Sequence, residues 1–323
     1  MKSFLTGATG FIGGHVARKL RERDDEVVAL VRSPQKATPL RELGCTLIEG
    51  DLSSTEAIRR GLEGVDAAFH LGAVYKVGIP ASERVAMEEA NVRGTERVLD
   101  AAIDAGVPRI VYVSTVACFG NTRGKVVDES YRRPDRDFLS AYDETKFRAH
   151  EVAEDRMSKG APLVIVQPGG VYGPGDHSEL GTMIDQARTG KLKAKMFPDS
   201  GFMFAHVEDI AEGIVLAHDR GRTGERYVLA GERGTMGELV ERVSALSGRK
   251  PPRLTLPPAA MRLSAPFGSI VGPLMGFPPN LRELIRSSDG VTYWASDEKA
   301  RRELGFAPRD LDTGLRQTLE AGL

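Results

Sequence analysis

Cysteine is nearly absent from this chain, and so are long apolar segments. The two cysteines, Cys45 and Cys118, each lie in a predicted strand region, which argues against a disulfide framework or a cysteine-based zinc site. The most apolar stretch, residues 254–279, is interrupted by Arg262 and by several prolines and glycines, so it does not supply the roughly 18 apolar residues of a spanning helix. The first predicted strand begins at residue 2 or 3, which leaves no room for a signal peptide. We expect a cytoplasmic protein that binds no membrane.

An excess of charge of one sign is also lacking. Lysine and arginine number 44 against 45 aspartates and glutamates, which gives a formal net charge of −1. No overall field therefore attracts nucleic acid, and a charged ligand must be held by local groups. No second histidine, cysteine or carboxylate stands near His70 at metal-ligand spacing. The sequence predicts no metal site and no nucleic-acid partner.

Short apolar runs alternate with helical patterns along the first half of the chain. Strands are predicted at 2–6, 26–31, 46–49, 67–70, 109–114 and 163–167, and helices at 12–22, 36–43, 54–62, 82–105 and 140–159. Because parallel strands need crossover helices, this order predicts an α/β fold with a Rossmann-type, doubly wound parallel sheet. Ligands of such sheets bind beyond the carboxyl ends of the strands.

Turns become denser after residue 167, and the pattern there is mainly helical. Helices are predicted at 180–189, 207–217, 236–246 and 311–321, with a short strand at 225–229. We therefore expect a dinucleotide-binding domain at 1–170 and a smaller, mainly helical substrate lobe at 171–323. A return of the chain to the sheet around 203–230 is left open.

The first predicted strand leads into a glycine-rich turn, Gly7-Ala8-Thr9-Gly10-Phe11-Ile12-Gly13, and then into a helix. Glycines allow a sharp turn and a close approach to a pyrophosphate, which the free N–H groups at the helix start then bind. The Gly-x-x-Gly-x-x-Gly spacing differs from the commoner Gly-x-Gly-x-x-Gly. The context of strand, turn and helix predicts dinucleotide binding at Gly7, Thr9, Gly10, Phe11, Ile12 and Gly13.

Polar residues at the next strand ends indicate which dinucleotide binds. Arg32 follows the second strand, where NAD enzymes carry an acidic residue, and a cation there favours the 2′-phosphate of NADP. A solvated arginine and NAD remain the alternative. Asp51 could accept from the adenine amino group, with Leu52 over the ring, or could cap the following helix.

The fourth strand ends at His70, and the small residues after it let the backbone pass close to the cofactor. The residues concerned are Leu71, Gly72 and Ala73. A lone strand-end histidine usually bonds to backbone, so we interpret His70 as structural.

A tyrosine and a lysine four positions apart, Tyr142 and Lys146, share one face of a predicted helix. A free tyrosine has a pKa of about 10. A nearby ammonium, with the positive nicotinamide of oxidised cofactor, would lower that pKa toward the working range. Ser114 and Thr115 end the strand before this helix, where a hydroxyl could orient a substrate carbonyl.

Taken in order, these motifs resemble the extended short-chain dehydrogenase/reductases, the NAD-dependent epimerase/dehydratase family, and within it the dihydroflavonol 4-reductase-like branch. The resemblance spans nearly the whole chain. It rests on the segments 6–13, 50–52, 91–95 (Asn-Val-Arg-Gly-Thr), 142–146, 168–176 and 204–210.

The resemblance implies a role for each matching residue. Tyr142 would be the general acid/base, and Lys146 would hold the nicotinamide ribose and tune the tyrosine. Thr115, five residues before Gly120, would be the catalytic hydroxyl, with Ser114 as the alternative. Asn91 would kink or brace the long helix behind the site. The backbone at Pro168, Gly170 and Val171 would bind the nicotinamide carboxamide.

The leading hypothesis is an NADP-dependent oxidoreductase that interconverts a carbonyl and an alcohol. One alternative is a nucleotide-sugar epimerase or dehydratase with the same triad, and another is a non-catalytic NADP-sensing protein. A small, hydrophobic substrate is suggested by apolar rings that could equally be plain core, and a homodimer is left open. The rings are Phe197, Phe202, Phe204, Phe267 and Phe277.

Overall fold

The computed structural model describes residues 1–264 and 278–322 and is built around a seven-stranded parallel sheet. The order across the sheet is β3-β2-β1-β4-β5-β6-β10. In chain order its strands are β1 (Lys2–Thr6), β2 (Glu26–Val31), β3 (Thr46–Glu49), β4 (Ala67–His70), β5 (Ile110–Val113), β6 (Leu163–Pro168) and β10 (Arg226–Leu229). The strand order reverses between β1 and β4, and this reversal opens the cleft in which a dinucleotide binds.

Helices cover both faces of the sheet. In this half they are α1 (Phe11–Glu22), α2 (Thr38–Glu42), α3 (Thr55–Gly61), α4 (Ala81–Glu88), α5 (Gly94–Asp104) and α6 (Ala141–Ser158). Alternate strand residues enter two separate cores, as Leu5 packs with α1 and Phe4 packs beside α3 and α5. Strands β1 to β4 have the bounds that the sequence predicts. β2 and β4 are buried along nearly their whole length and read as apolar runs, whereas the edge strand β3 is only half-buried in its middle.

Two predicted helices are interrupted in the structure. The segment 82–105 consists of α4, a π-helical turn at Glu89–Arg93 and α5. The segment 36–43 consists of a 3₁₀ turn at Pro34–Lys36 and the short helix α2. Pro39 explains the second break, because it has no N–H to donate to a carbonyl of the preceding turn, and a proline is tolerated only in the first turn of the helix, where α2 places it.

The second half of the chain combines helices with three-residue to six-residue strands. The strands are β7 (Gly170–Tyr172), β8 (Ala194–Met196), β9 (Gly201–His206), β10 (Arg226–Leu229), β11 (Glu232–Thr235) and β12 (Leu254–Leu256). The helices are α7 (Glu179–Thr189), α8 (Val207–Arg220), α9 (Met236–Leu246), α10 (Pro258–Ser264), α11 (Leu281–Ser288), α12 (Glu298–Leu304) and α13 (Leu311–Ala321).

The predicted strand 225–229 lies in the main sheet as β10, parallel to β6, and not among the elements of the smaller lobe. Strands β7, β9 and β11 form a second sheet, and β8 pairs with β12. The smaller part of the molecule is mainly helical, as predicted, and also contains these two small sheets. The division of the chain at residue 170 stays a prediction.

Within the described ranges, no helix is both long and apolar enough to cross a membrane.

Candidate active site

In the glycine turn between β1 and α1, two glycines lie very close to the backbone of other residues. Gly7 has a φ of +76°, and a Cβ there would lie 2.8 Å from the amide nitrogen of Gly72. A Cβ on Gly13 would lie 2.1 Å from the carbonyl oxygen of Gly7. Only glycine fits at either position, so the turn passes directly beneath the end of β4.

The start of α1 is free to bind an anion. Gly10 occupies the N-cap position without any side-chain hydrogen bond, and the first turn holds no acidic residue. Thr9 and Gly10 are exposed, and Phe11 and Ile12 are half-buried. The orphan N–H groups of the first turn therefore suit a pyrophosphate.

Arg32 lies exposed just beyond β2. Its guanidinium has no hydrogen-bond or ion-pair partner among the residues that the structure describes. The Ser33 hydroxyl beside it bonds to Gln35 Oε1 at 3.2 Å. An unpaired guanidinium at the end of this strand is compatible with a phosphate ligand.

Asp51 and Leu52 follow β3 and have different surroundings. Asp51 Oδ1 accepts bonds from the Ser53 amide at 2.9 Å and the Ser53 and Ser54 hydroxyls at 2.6 and 3.0 Å, and these bonds lower the pKa of the carboxyl. Ser54, not Asp51, occupies the N-cap position of α3, so the helix-cap alternative for Asp51 is wrong. The Leu52 side chain packs over Gly72 and Gly94.

His70 is fully buried at the end of β4 and joins a directed chain of hydrogen bonds. The Thr95 hydroxyl donates to the Asn91 carbonyl at 2.7 Å, so it accepts from His70 Nε2 at 3.0 Å. His70 Nδ1 then accepts from the Thr6 hydroxyl at 2.7 Å, and Thr6 accepts the Gly72 amide at 3.1 Å. Burial lowers the pKa of His70 to about 3. The imidazole is thus neutral and structural.

The residues that follow β4 are held by Asn91, which lies in the π-helical turn and is buried. Its side chain accepts the Val74 amide at 2.6 Å and donates to the Val74 carbonyl at 3.0 Å. The same amide group donates to the Thr145 hydroxyl at 3.1 Å on α6. Leu71 is half-buried and Ala73 is exposed, so the backbone between His70 and Val74 borders the cleft.

Tyr142 lies in the first turn of α6, half-buried. Burial raises the pKa of its phenol, and the nearby Thr115 hydroxyl lowers that pKa by a smaller amount. The ring meets that of Tyr75 edge to face, with centroids 4.8 Å apart. The residues of the chain therefore keep Tyr142 in its protonated form.

Lys146 is buried one helical turn further on. Its Nζ donates to the Val113 carbonyl at 3.1 Å and lies 3.5 Å from the Tyr112 hydroxyl, and burial lowers its pKa to about 8. The expectation that the ammonium lowers the pKa of Tyr142 is not met by this geometry, because the ammonium bonds to β5 and the burial of the phenol dominates.

Ser114 and Thr115 point into different surroundings. The Ser114 hydroxyl lies 2.9 Å from His150 Nδ1 and 3.2 Å from Cys118 Sγ, and the residue is 5% exposed. Thr115 is half-buried and accepts the Ala117 amide at 3.2 Å, which leaves its O–H free to donate. Thr115 is therefore the hydroxyl residue that lies beside Tyr142.

The segment after β6 lies at the same edge of the sheet. Pro168 ends β6, and Gly170 and Val171 form β7 beside Phe204 and Ala205. A Cβ on the intervening Gly169 would lie 2.4 Å from the Met203 carbonyl oxygen. The backbone here is thus held tightly against β9.

The aromatic residues proposed to face the substrate are mostly core. Phe197 and Phe204 are buried. Phe202 is half-buried and stacks on Tyr293 with ring centroids 5.5 Å apart. Phe267 and Phe277 lie outside the described residues.

Four side chains that sequence reasoning missed contribute to the site. Thr6 and Thr95 direct the His70 chain, and both lie in motif segments, 6–13 and 91–95, whose patterns do not indicate this role. Arg133 forms a buried ion pair with Asp143 at 2.9 Å, directly after Tyr142. The fourth, Glu283, bonds to the start of α6 from 142 residues away. No local pattern indicates contacts over such separations.

The fold and this arrangement of hydroxyl, tyrosine and lysine define an NAD(P)-dependent oxidoreductase of the extended short-chain dehydrogenase/reductase type. The sequence profile described as the NAD dependent epimerase/dehydratase family matches residues 3–230. The chain belongs to that family, as its motifs predict.

Full-length relatives support the assignment. A Synechocystis protein provisionally named a dihydroflavonol 4-reductase is 30% identical over 321 residues, which cover 97% of this chain and 92% of that one. A 4-hydroxy-2-methyl-3-oxo-4-farnesyl-3,4-dihydroquinoline-1-oxide ketoreductase of Stigmatella aurantiaca is 34% identical over 322 residues, covering 96% and 92%. The crystal structure of gox2253 superposes with a TM-score of 0.85 at 33% identity, over 99% of this chain and 97% of that one.

Gly13→Ala should destabilise the glycine turn and weaken cofactor binding. The new Cβ would lie 2.1 Å from the Gly7 carbonyl, so the backbone must shift, at a cost of about 2 kcal/mol. We expect urea unfolding to show that loss and NADPH titration to show at least a roughly tenfold weaker Kd.

Gly14→Ala is the matched control, because a Cβ there meets only the Ala8 carbonyl oxygen at 3.6 Å. This variant should be as stable as the wild type or more so by about 0.5–1 kcal/mol. Equal effects of the two substitutions would contradict the packing argument.

Acid should destabilise the protein through His70. Folding lowers the pKa of His70 from 6.5 to about 3. Below about pH 6.5 the unfolded chain therefore binds a proton that the folded chain does not, and the free energy of unfolding decreases as the pH is lowered. Between about pH 7 and pH 5 the loss from this residue is about 2 kcal/mol. Urea unfolding at both pH values measures it.

A His70→Gln variant is less stable at either pH, but its stability should depend less on pH than that of the wild type. If both proteins lose the same free energy between the two pH values, His70 is not the group responsible.

Proposed function

We propose that the protein is an NADP-dependent reductase of ketones or aldehydes that also catalyses the reverse oxidation. The observation that carries the proposal is the placement of Tyr142 in the first turn of α6, with Lys146 one turn further on and the Thr115 hydroxyl near enough to lower the pKa of the phenol. When bound, the cofactor supplies or accepts a hydride at the carbonyl carbon.

Tyr142 is the proton donor in the reducing direction. Because burial raises its pKa, the phenol carries its proton at neutral pH and can donate it to the carbonyl oxygen as the alcohol forms. In the reverse direction the phenolate form would accept the proton, and a cation close to the phenol would favour that form.

Thr115 orients the substrate oxygen. Its oxygen is engaged by the Ala117 amide, so the hydroxyl proton is directed outward and can bond to the same carbonyl oxygen that Tyr142 protonates. Ser114 cannot do this in the observed arrangement, since its hydroxyl bonds to His150 and Cys118.

The cofactor would be held along the edge from β2 to β6. The N–H groups at the start of α1 would bind the pyrophosphate, and Arg32 the 2′-phosphate. Asp51 keeps one carboxylate oxygen for the adenine amino group, with Leu52 beside it. Gly72 and Ala73 would border the cofactor, and Lys146 would hold the nicotinamide ribose. The backbone at Pro168, Gly170 and Val171 would hold the carboxamide.

The two rival functions fit less well. Sugar-nucleotide enzymes of this fold often carry an arginine and an asparagine where this chain has Gln167 and Gly170, and an NAD-retaining epimerase does not need Arg32. A non-catalytic sensor would not need Tyr142 and Lys146, which are both present. The residues at positions 167 and 170, and the presence of Tyr142 and Lys146, therefore support reductase chemistry.

For the substrate we propose a ketone or aldehyde with apolar substituents. Tyr75 presents an exposed ring against Tyr142, and the name of the Stigmatella relative describes a ketone that bears a farnesyl chain. The homodimer and the cytoplasmic location stay predictions from the sequence.

Arg32→Ala should remove a preference for NADPH over NADH. Loss of a charge-assisted bond to the 2′-phosphate costs about 1.5–3 kcal/mol, or roughly ten- to a hundredfold in Kd for NADPH alone. Fluorescence titration with both cofactors measures this. Lys2→Ala, at the opposite end of the sheet, is the control, and equal wild-type affinities for NADPH and NADH would refute the NADP assignment.

Tyr142→Phe should lower turnover by about 10²- to 10⁴-fold, because the proton donor is lost while the ring remains. A screen of carbonyl substrates, followed by loss of NADPH absorbance, measures this. Thr115→Ala should lower kcat by about 10²-fold, whereas Ser114→Ala should keep most of the activity. Conversion of a UDP-sugar without net cofactor change, together with no carbonyl reduction, would favour the epimerase.

A further inference from the structure

Glu283 is a buried carboxylate far along the chain from the residues of the proposed mechanism. It lies in α11 and is 5% exposed. Its Oε1 accepts the amide of Ala141 at 2.9 Å, across a separation of 142 residues. Burying a charge is costly without close partners, so the contacts of this carboxylate indicate what it holds in place.

Both carboxylate oxygens of Glu283 are occupied. Besides Ala141, Oε2 accepts Asn280 Nδ2 at 3.0 Å and Arg84 Nη2 at 3.2 Å. Arg84 belongs to α4 and Asn280 is the N-cap of α11. The carboxylate therefore joins three elements, and the contact to Ala141 is the one that reaches α6.

Ala141 is the first residue of α6 and immediately precedes Tyr142. The first N–H groups of a helix have no partner inside the helix. The Ser140 hydroxyl satisfies the amide of Asp143 at 3.0 Å, and Glu283 satisfies the amide of Ala141. A negative group at this end is also favourable for the helix dipole.

The residue after Tyr142 is held as firmly as the one before it. Asp143 pairs with Arg133 at 2.9 Å and accepts the Leu139 amide at 2.9 Å. The backbone that carries the phenol is thus bound on both sides, locally through Asp143 and from the distant α11 through Glu283.

We infer that Glu283 is a positioning residue for Tyr142, through which the placement of α11 sets the position of the phenol. This inference rests on the proposed function, in which Tyr142 donates the proton. A misplacement of a reacting group by about 1 Å costs roughly 10²-fold in rate, so loss of one helix-start bond is expected to appear in kcat.

The test compares three variants. Glu283→Met fills the same space without an acceptor, Glu283→Gln retains an oxygen that accepts from Ala141, and Arg286→Ala is the control. Arg286 lies on the same helix and pairs with Asp137 at the surface, so its loss disturbs α11 without touching Ala141. Amide hydrogen exchange at Ala141 and the steady-state constants for a carbonyl substrate are measured for each.

We expect slow exchange at Ala141 in the wild type, in Glu283→Gln and in Arg286→Ala, and fast exchange in Glu283→Met. In Glu283→Met, kcat should fall at least roughly tenfold, with the Kd for NADPH unchanged and activity recovered in Glu283→Gln. Exchange in β5 should stay slow in all four proteins, which separates repositioning from unfolding.

Fast exchange at Ala141 in the wild type would overturn the inference, and so would wild-type kcat in Glu283→Met. If Glu283→Met does not fold, the wild-type exchange rate and the Glu283→Gln constants still decide. A Tyr142→Phe variant that keeps full activity would instead overturn the proposed function, whereas an inactive Tyr142→Phe beside a fully active Glu283→Met would overturn the positioning role alone.

Discussion

The hydrogen-bond chain through His70 joins the elements that carry the site. It runs from the Gly72 amide through Thr6, His70 and Thr95 to the Asn91 carbonyl. Each link has an assigned donor, and the neutral imidazole bridges Thr6 on β1 and Thr95 on α5 from the end of β4. Because Asn91 also bonds to Val74 and to Thr145 on α6, the same network relates the cofactor edge to the helix of Tyr142. Burial keeps the imidazole neutral, and both of its nitrogens are occupied by threonine hydroxyls, so this histidine is structural rather than catalytic.

The first residues of α6 are held in place both by residues close in sequence and by a residue from a distant helix. Ser140 and Asp143 lie beside Tyr142 in sequence and form the helix cap and the pair with Arg133. Glu283 comes from α11 and satisfies an amide that no neighbour in sequence reaches. The smaller part of the molecule therefore contributes a buried carboxylate to the start of the helix on which the proposed proton donor lies.

Predictions from the sequence were correct where the residues of a strand or helix by themselves determine its conformation. Strands β1 to β4 appear at their predicted bounds because short apolar runs that alternate with helical patterns are typical of a parallel sheet. The predictions were wrong or incomplete where the conformation or the pairing of a segment depends on contacts with distant parts of the chain. The break in the helix after residue 88 is a π-helical turn whose Asn91 side chain bonds to the β4–α4 connection. Strand β10 pairs with β6, which lies nearly sixty residues away, and its few apolar residues do not identify that partner.

The amino-acid sequence alone determined the class of the protein. The glycine spacing, the strand-end hydroxyls and the Tyr-x-x-x-Lys pair are each contained within a few residues, and their order along the chain predicts the family. Only the tertiary structure decided between Ser114 and Thr115 as the neighbour of Tyr142, showed Lys146 bonded to β5, and brought Glu283 to the start of α6. The physical reason is that a motif specifies which groups are available, whereas burial and hydrogen bonds between distant elements determine where those groups point and how they are charged.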